Sequence, residues 1–322
     1  MPRDYHRNHI VSASYLAGFA DPDGNLCVVG KDDNSVRRGR PRTMGFRPAF
    51  WGKDRQVRAD AERWLSALES DIPEAVRGLL ENGVPAPGSE QRLALMLLLA
   101  MHGVRNPSAR ENVLQIQQRA IAEHAGKYQA GISLTGYEDL LRLFTSDAFV
   151  AQVMLGHVSK LASFLGSMHW TLVEFDHALL ATSDEPTVLM PVPGATALAD
   201  TYEARFAVDP RHALILAWVD VPDDGPVVRG DDALAAQLNR GAIAQADQQW
   251  FHHPARRPVC CTSDDILGVG LASAAERIHA GYDVAEARSS QRRVQAIANM
   301  KELIERQTPG VVKTAAIERA TA

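Results

Sequence analysis

The chain has 322 residues, 46% of them apolar and 23% charged, with a net charge of −5. These proportions suit one large domain or two and exclude a disordered, collagen-like or coiled-coil chain. The charge is uneven: residues 1–58 hold 11 Lys and Arg against 6 Asp, which argues against a nucleic-acid coat over the whole surface and leaves room for a local anion site near the start.

Ser12 is placed to cap a short helix carrying Tyr15, Leu16 and Phe19. Asp21-Pro22-Asp23-Gly24 marks a turn, and Leu26–Val29 alternates as a strand. Residues 31–48, basic and broken by Gly and Pro, read as loop. From about residue 57, Ala61, Trp64, Leu65 and Leu68 follow helical spacing. A second helix begins near Pro73, and Pro85-Ala86-Pro87-Gly88 ends it. Ser89 caps a helix through Leu93–Met101, apolar on every side and therefore central, which Asn106-Pro107 closes. Helices follow at 108–126, 137–144 and 147–167. His169–Phe175 and Ala178–Thr182 read as strands around an Asp176-His177 turn, and Arg205–Val208 and Ala213–Val219 as two more. Helix returns at 231–250 and about 284–306. The pattern is an α+β fold, predominantly helical, with a modest antiparallel sheet around residues 169–219. A basic N-terminal segment, 1–58, packs on a single mainly helical α+β domain, 59–307, and 308–322 reads as a flexible tail.

The longest apolar run, Leu93–Met101, falls short of the roughly 18 residues that suggest a membrane span. Met1–His6 has no apolar signal core. An odd cysteine count, with Cys260 and Cys261 adjacent and Cys27 apart, argues against a secreted disulfide scaffold. These features read as a cytoplasmic protein.

Several short stretches, in order, resemble an uncharacterised family, domain of unknown function 4238. They are His9-Ile10-Val11 leading to Tyr15-Leu16 and Phe19, Arg105-Asn106-Pro107, and Thr182-Ser183-Asp184-Glu185-Pro186. Glu185 stands where that family usually has Asn. Asp209-Pro210-Arg211 and Asn239 fall where its later motifs would sit. The resemblance spans roughly residues 5–255 and implies candidate positions, with no activity attached.

The residues themselves point to a polar site. Thr-Ser-Asp occurs at 145–147, 182–184 and 262–264. The first and third precede helical runs and read as caps, whereas Asp184 ends an apolar strand beside a stiff turn. It is either a catalytic or metal-binding carboxylate or an Asx-turn holding its own backbone. Arg105 ends an apolar helix and must find an anion, either a buried carboxylate or a ligand. The break at Asn106-Pro107 suggests an open rim, and hence a ligand. Histidine as a residue type changes charge near neutrality, which makes His9 a candidate proton carrier. Tyr15, Ser183 and Asn239 join Arg105 as candidate substrate contacts. A divalent metal, if present, would fall to Asp184 and His9. His6 with His9, His252-His253 and Cys260-Cys261 are weaker ligand pairs. Arg38-Gly39-Arg40-Pro41-Arg42 resembles an AT-hook core, an extended segment whose arginines follow a minor groove. No Walker A, G-x-G-x-x-G or G-x-S-x-G signature is present, so no nucleotide cofactor is expected.

Three functions fit. The leading one is an intracellular enzyme, a hydrolase acting on a phosphate-containing or other anionic substrate in a cleft built from His9, Arg105 and Asp184. The second is a nucleic-acid-linked module, a nuclease or DNA-binding protein of defence or toxin type, using the basic 37–58 segment through Arg38, Arg40 and Arg42. The third is a non-catalytic ligand-binding protein. Oligomeric state is not legible.

Overall fold

The structure, a computed structural model, describes residues 7–127, 134–191, 201–219, 227–258 and 290–307. Helix α1 (Ala13–Ala17) follows strand β1 (Arg7–His9), and α2 (Arg55–Leu68) and α3 (Ile72–Asn82) lead to α4 (Glu90–Val104). Side-chain caps explain two of these starts; the cap expected of Ser12 is not made, because its hydroxyl pairs with that of Ser14, and Asp71 before α3 makes none either. Asp54 accepts the backbone N–H groups of Gln56 and Val57 to begin α2, and Ser89 accepts that of Arg92 to begin α4. α4 buries Leu95, Leu98, Leu99, Met101 and Val104, although Leu93 is half exposed, so the helix is not enclosed on every side. α5 (Pro107–Lys127), α6 (Leu134–Phe144) and α7 (Asp147–Gly166) follow. Ser146 caps α7 through the Phe149 N–H, as its Thr-Ser-Asp motif predicts.

α7 is long and apolar enough to cross a membrane by length and composition alone. Its Met154, Val158, Leu161 and Leu165 are instead buried with the α4 side chains in one core. That core also holds Ile10, Val11, Leu16 and Phe19, so the N-terminal segment is built into the body of the fold.

The strands form more sheet than the sequence pattern suggests. β5 (His169–Glu174), β7 (Val188–Pro191), β8 (Thr201–Asp209), β9 (His212–Ala217) and β10 (Val228–Arg229) form a five-stranded sheet in the order β10-β5-β9-β8-β7. It is antiparallel except for the β10–β5 pair. β2 (Leu26–Gly30), β3 (Val36–Gly39), β6 (Ala181–Ser183) and β11 (Gln249–His252) form a second sheet, β3-β2-β11-β6, and β1 pairs with β4 (Phe46–Pro48). The fold is α+β, and α8 (Asp232–Gln245) and α9 (Gln291–Gln307) are the remaining helices among the described residues.

Three expectations are corrected here. Residues 31–48 are not a loop: β3 pairs with β2, Pro41–Thr43 make a 3₁₀ turn, and β4 follows. The strand predicted at 178–182 makes no hairpin with β5. Asn239 of α8 accepts the Ala181 N–H at 2.7 Å and donates to the Leu179 carbonyl at 2.8 Å, drawing β6 into the other sheet. The helix predicted through residue 250 ends at Gln245, because Trp250 and Phe251 pair with Val29 and Val28 of β2. His6, Cys260, Cys261, the third Thr-Ser-Asp and the 308–322 tail lie outside the described residues.

Candidate active site

A cavity of about 920 Å³ opens between α1, the 3₁₀ turn, α2 and the end of α4. This volume lies within the roughly 300–1,000 Å³ of small-molecule sites. His9 and Arg105, 96 positions apart in the sequence, both line it. Arg40 and Arg42 join them from the 3₁₀ turn, and Glu62, Ser66 and Glu69 from α2.

His9 sits with Nε2 at 3.3 Å from the Arg42 carbonyl. A carbonyl only accepts, so Nε2 carries the proton in the neutral ring and Nδ1 keeps its lone pair. Arg105 is only 3% exposed. Its Nε donates to the Ile10 carbonyl at 3.3 Å and its Nη1 to Glu69 Oε1 at 3.1 Å. The guanidinium therefore already has a carboxylate partner, and the expectation of an arginine awaiting its anion on an open rim is corrected. The helix break turns Arg105 inward because Glu69, the residue that ends α2, meets it there. Arg40 and Arg42 are exposed, and neither side chain has a carboxylate partner among the described residues.

Glu62 presents a partly buried carboxyl to the same cavity. Its Oε1 accepts from Asn8 Nδ2 and Trp51 Nε1, each at 3.1 Å. Burial pushes its carboxyl up from the ordinary range, although Arg105, those two hydrogen bonds and His9 pull the other way. Behind the cavity, His102 Nε2 accepts the Ser12 N–H at 3.1 Å and fixes the start of α1. Burial and the nearby Arg105 push the His102 pKa down to about 3, so it is a neutral structural imidazole.

Five sequence candidates lie elsewhere. Asp184 is buried and does not line the cavity. Its Oδ1 accepts the Asp247 N–H at 2.8 Å, and its Oδ2 those of Gln248 at 2.9 Å and Gln249 at 3.2 Å. The carboxylate holds the chain between α8 and β11, so the single cleft of His9, Arg105 and Asp184 is corrected. Burial raises its pKa against those hydrogen bonds and Arg47. Ser183 accepts the Glu185 N–H and donates to the Glu185 carbonyl, a local turn. Asn239 ties α8 to β6, as described above. The Tyr15 hydroxyl donates to the Ala207 carbonyl at 2.6 Å and lies 2.7 Å from Thr182 Oγ1, with its ring against Phe19, His102 and Phe206. Burial raises the Tyr15 pKa further above its ordinary value. Arg38 is exposed on β3 and outside the cavity lining. Among the described residues, no group of three His, Cys, Asp or Glu side chains stands ready for a metal, and with its oxygens so occupied Asp184 forms no metal pair with His9.

The model of a family described as Protein of unknown function (DUF4238) matches residues 7–256. The chain belongs to that family. No curated protein and no solved structure matches it. The DUF4238-like motifs thus divide by role. His9 and Arg105 reach the cavity, while Tyr15, Asp184 and Asn239 fasten separate segments to one another and Ser183 holds a local turn.

Sequence reasoning missed Glu62, Ser66 and Glu69. Their signal was present: positions i, i+4 and i+7 on one helix share a face. That polar stripe reads as ordinary solvated surface until α1 and the 3₁₀ turn are placed over it.

Proposed function

We propose that the chain is a hydrolase whose substrate carries a phosphate or similar anionic group, bound in the cavity of His9, Arg40 and Arg42. The observation that carries this reading is the pair of exposed guanidinium groups, without a carboxylate partner among the described residues, beside a histidine with one nitrogen free to take a proton. Arg40 and Arg42 would hold the anion and offset charge building on its oxygens. His9 Nδ1 would take a proton from the attacking water. The protonated His9 would then return that proton to the leaving group. Cys27, buried and unbridged, suits a reducing compartment such as the cytoplasm.

The test is turnover of a phosphate monoester, such as p-nitrophenyl phosphate, by wild type, His9→Ala and Arg40→Ala/Arg42→Ala. The reading expects loss of turnover in both variants with melting temperatures unchanged. It also expects stabilisation of wild type by inorganic phosphate through mass action. Stabilisation without turnover leaves a binding protein; neither effect overturns the reading.

A second reading, nucleic-acid binding, draws on the exposure of Arg37, Arg38, Arg40 and Arg42. It is disfavoured because Val36–Gly39 is paired with β2 and Pro41–Thr43 is a 3₁₀ turn, so the segment is fixed to the fold and is not a free arm able to follow a minor groove. A salt titration of duplex binding by wild type and Arg38→Ala/Arg40→Ala decides it. Each phosphate contact contributes a slope of roughly −0.9, and identical slopes make the segment ordinary surface.

A further inference from the structure

The chemistry of the cavity walls narrows the ligand beyond a phosphate-bearing anion. The 3₁₀ turn contributes two guanidinium groups, whereas α2 contributes two carboxylates with a hydroxyl between them. Among the described residues, the hydrogen bonds to Glu62 and Glu69 all fall on Oε1, which leaves Oε2 of each as an acceptor. Hydroxyl groups also come from Ser12, Ser14 and Thr43. Small apolar side chains, Ala13, Ala17 and Ala20, supply the only other kind of surface on the α1 side.

Two features exclude other phosphate compounds. The described lining has no Phe, Tyr or Trp, so no platform is present for stacking a nucleobase. The carboxylates of Asp21, Glu62 and Glu69 in the lining would repel a chain of phosphates. Inorganic phosphate alone would engage the arginines and leave the acceptor wall and most of the volume unused.

We propose that the cavity takes a phosphorylated sugar or polyol. Arg40 and Arg42 hold its phosphate, and Glu62, Ser66 and Glu69 take up its hydroxyl groups. The proposal rests on the reading of the cavity as a phosphate site and adds the class of molecule that carries the phosphate. A carboxylate accepts from a sugar hydroxyl through a charge-assisted hydrogen bond, stronger than a neutral one. A site lined with such acceptors favours ligands whose hydroxyls pair with them over ligands that have none.

The experiment is calorimetric titration of the full chain with inorganic phosphate, glucose 6-phosphate, glucose, AMP and a single-stranded 12-mer DNA. Glucose 6-phosphate is expected to bind at least tenfold more tightly than inorganic phosphate, and glucose alone to give no signal. Glu62→Gln keeps an acceptor for Asn8 and Trp51 and is expected to close most of the gap between the two phosphates, with inorganic phosphate bound as well as before. Ser66→Leu, at an exposed position with little bearing on folding, is expected to weaken glucose 6-phosphate alone. Equal affinity for the two phosphates overturns the sugar assignment and leaves the phosphate site standing. AMP or DNA binding more tightly than glucose 6-phosphate assigns the cavity to nucleotides or nucleic acid and overturns it too. No binding of any phosphate compound removes the proposal together with the phosphate site.

Discussion

Replacing Arg105 by Ala tests whether this arginine is part of the scaffold. The side chain is 3% exposed and its Glu69 partner 25%. Removing it deletes two hydrogen bonds, one of them charge-assisted, and strands the Ile10 carbonyl and the Glu69 carboxylate. Breaking a buried pair costs about 3–5 kcal/mol. Because a quarter of Glu69 meets water, its stranded charge is partly resolvated, which places the cost near the lower end, about 3 kcal/mol. Unfolding entropy of about 2.1 cal/mol/K per residue makes this a fall of roughly 4–5 °C in melting temperature. The assay is thermal unfolding by circular dichroism in a phosphate-free buffer, as a double-mutant cycle with Glu69→Ala. The two single losses are expected to exceed the loss in the double variant, since neither charge is then stranded. A change within about 1 °C in Arg105→Ala, or strict additivity, would refute a scaffold role and return Arg105 to the ligand.

Further outcomes follow from the buried polar groups. Asp184→Ala strands three backbone N–H groups at 247–249 and is expected to cost about 3 kcal/mol or more, with Asp184→Asn losing less, read by the same melts. Glu185 has its pKa pushed up to about 7 by burial and by the Asp184 charge beside it. The folded state then holds a proton that the unfolded chain releases near pH 4.5, so this group's contribution falls as pH rises from about 4.5 to 7. Glu185→Gln, which keeps an acceptor for Ser108, is expected to raise the melting temperature at pH 8 and change it little at pH 4.5; parallel curves for the two proteins would contradict this. Tyr15→Phe removes the hydroxyl donor to the Ala207 carbonyl and is expected to cost about 1–2 kcal/mol in denaturant unfolding, with phosphate binding intact. A loss of phosphate binding there would put the hydroxyl back among the ligand contacts.

Many local signals were legible, although Ser12 pairs with Ser14 and makes no cap, and Ser183 closes a turn at Glu185 in place of the expected ligand contact. Ser89 and Ser146 cap helices at the positions their spacing implies, and Asp21–Gly24 turns, with Gly24 at φ +79°, as only a residue without Cβ does easily. The α+β class followed from the same periodicities. The partners of each strand were not legible, because pairing depends on residues far away in the chain. β6 leaves β5 because Asn239, 58 positions on, takes its backbone, and β11 exists because β2 offers it an edge. The candidate site divides in the same way. His9 and Arg105 stood out as polar residues beside apolar elements, and so did Asp184. Only the tertiary structure decided that three backbone N–H groups already satisfy Asp184. It also decided that Glu69 meets Arg105, and that α1 and the 3₁₀ turn stand over the α2 stripe to make a cavity. A side chain's chemistry is carried by its type, but whether it is occupied or available depends on which distant atoms the fold brings within about 3 Å.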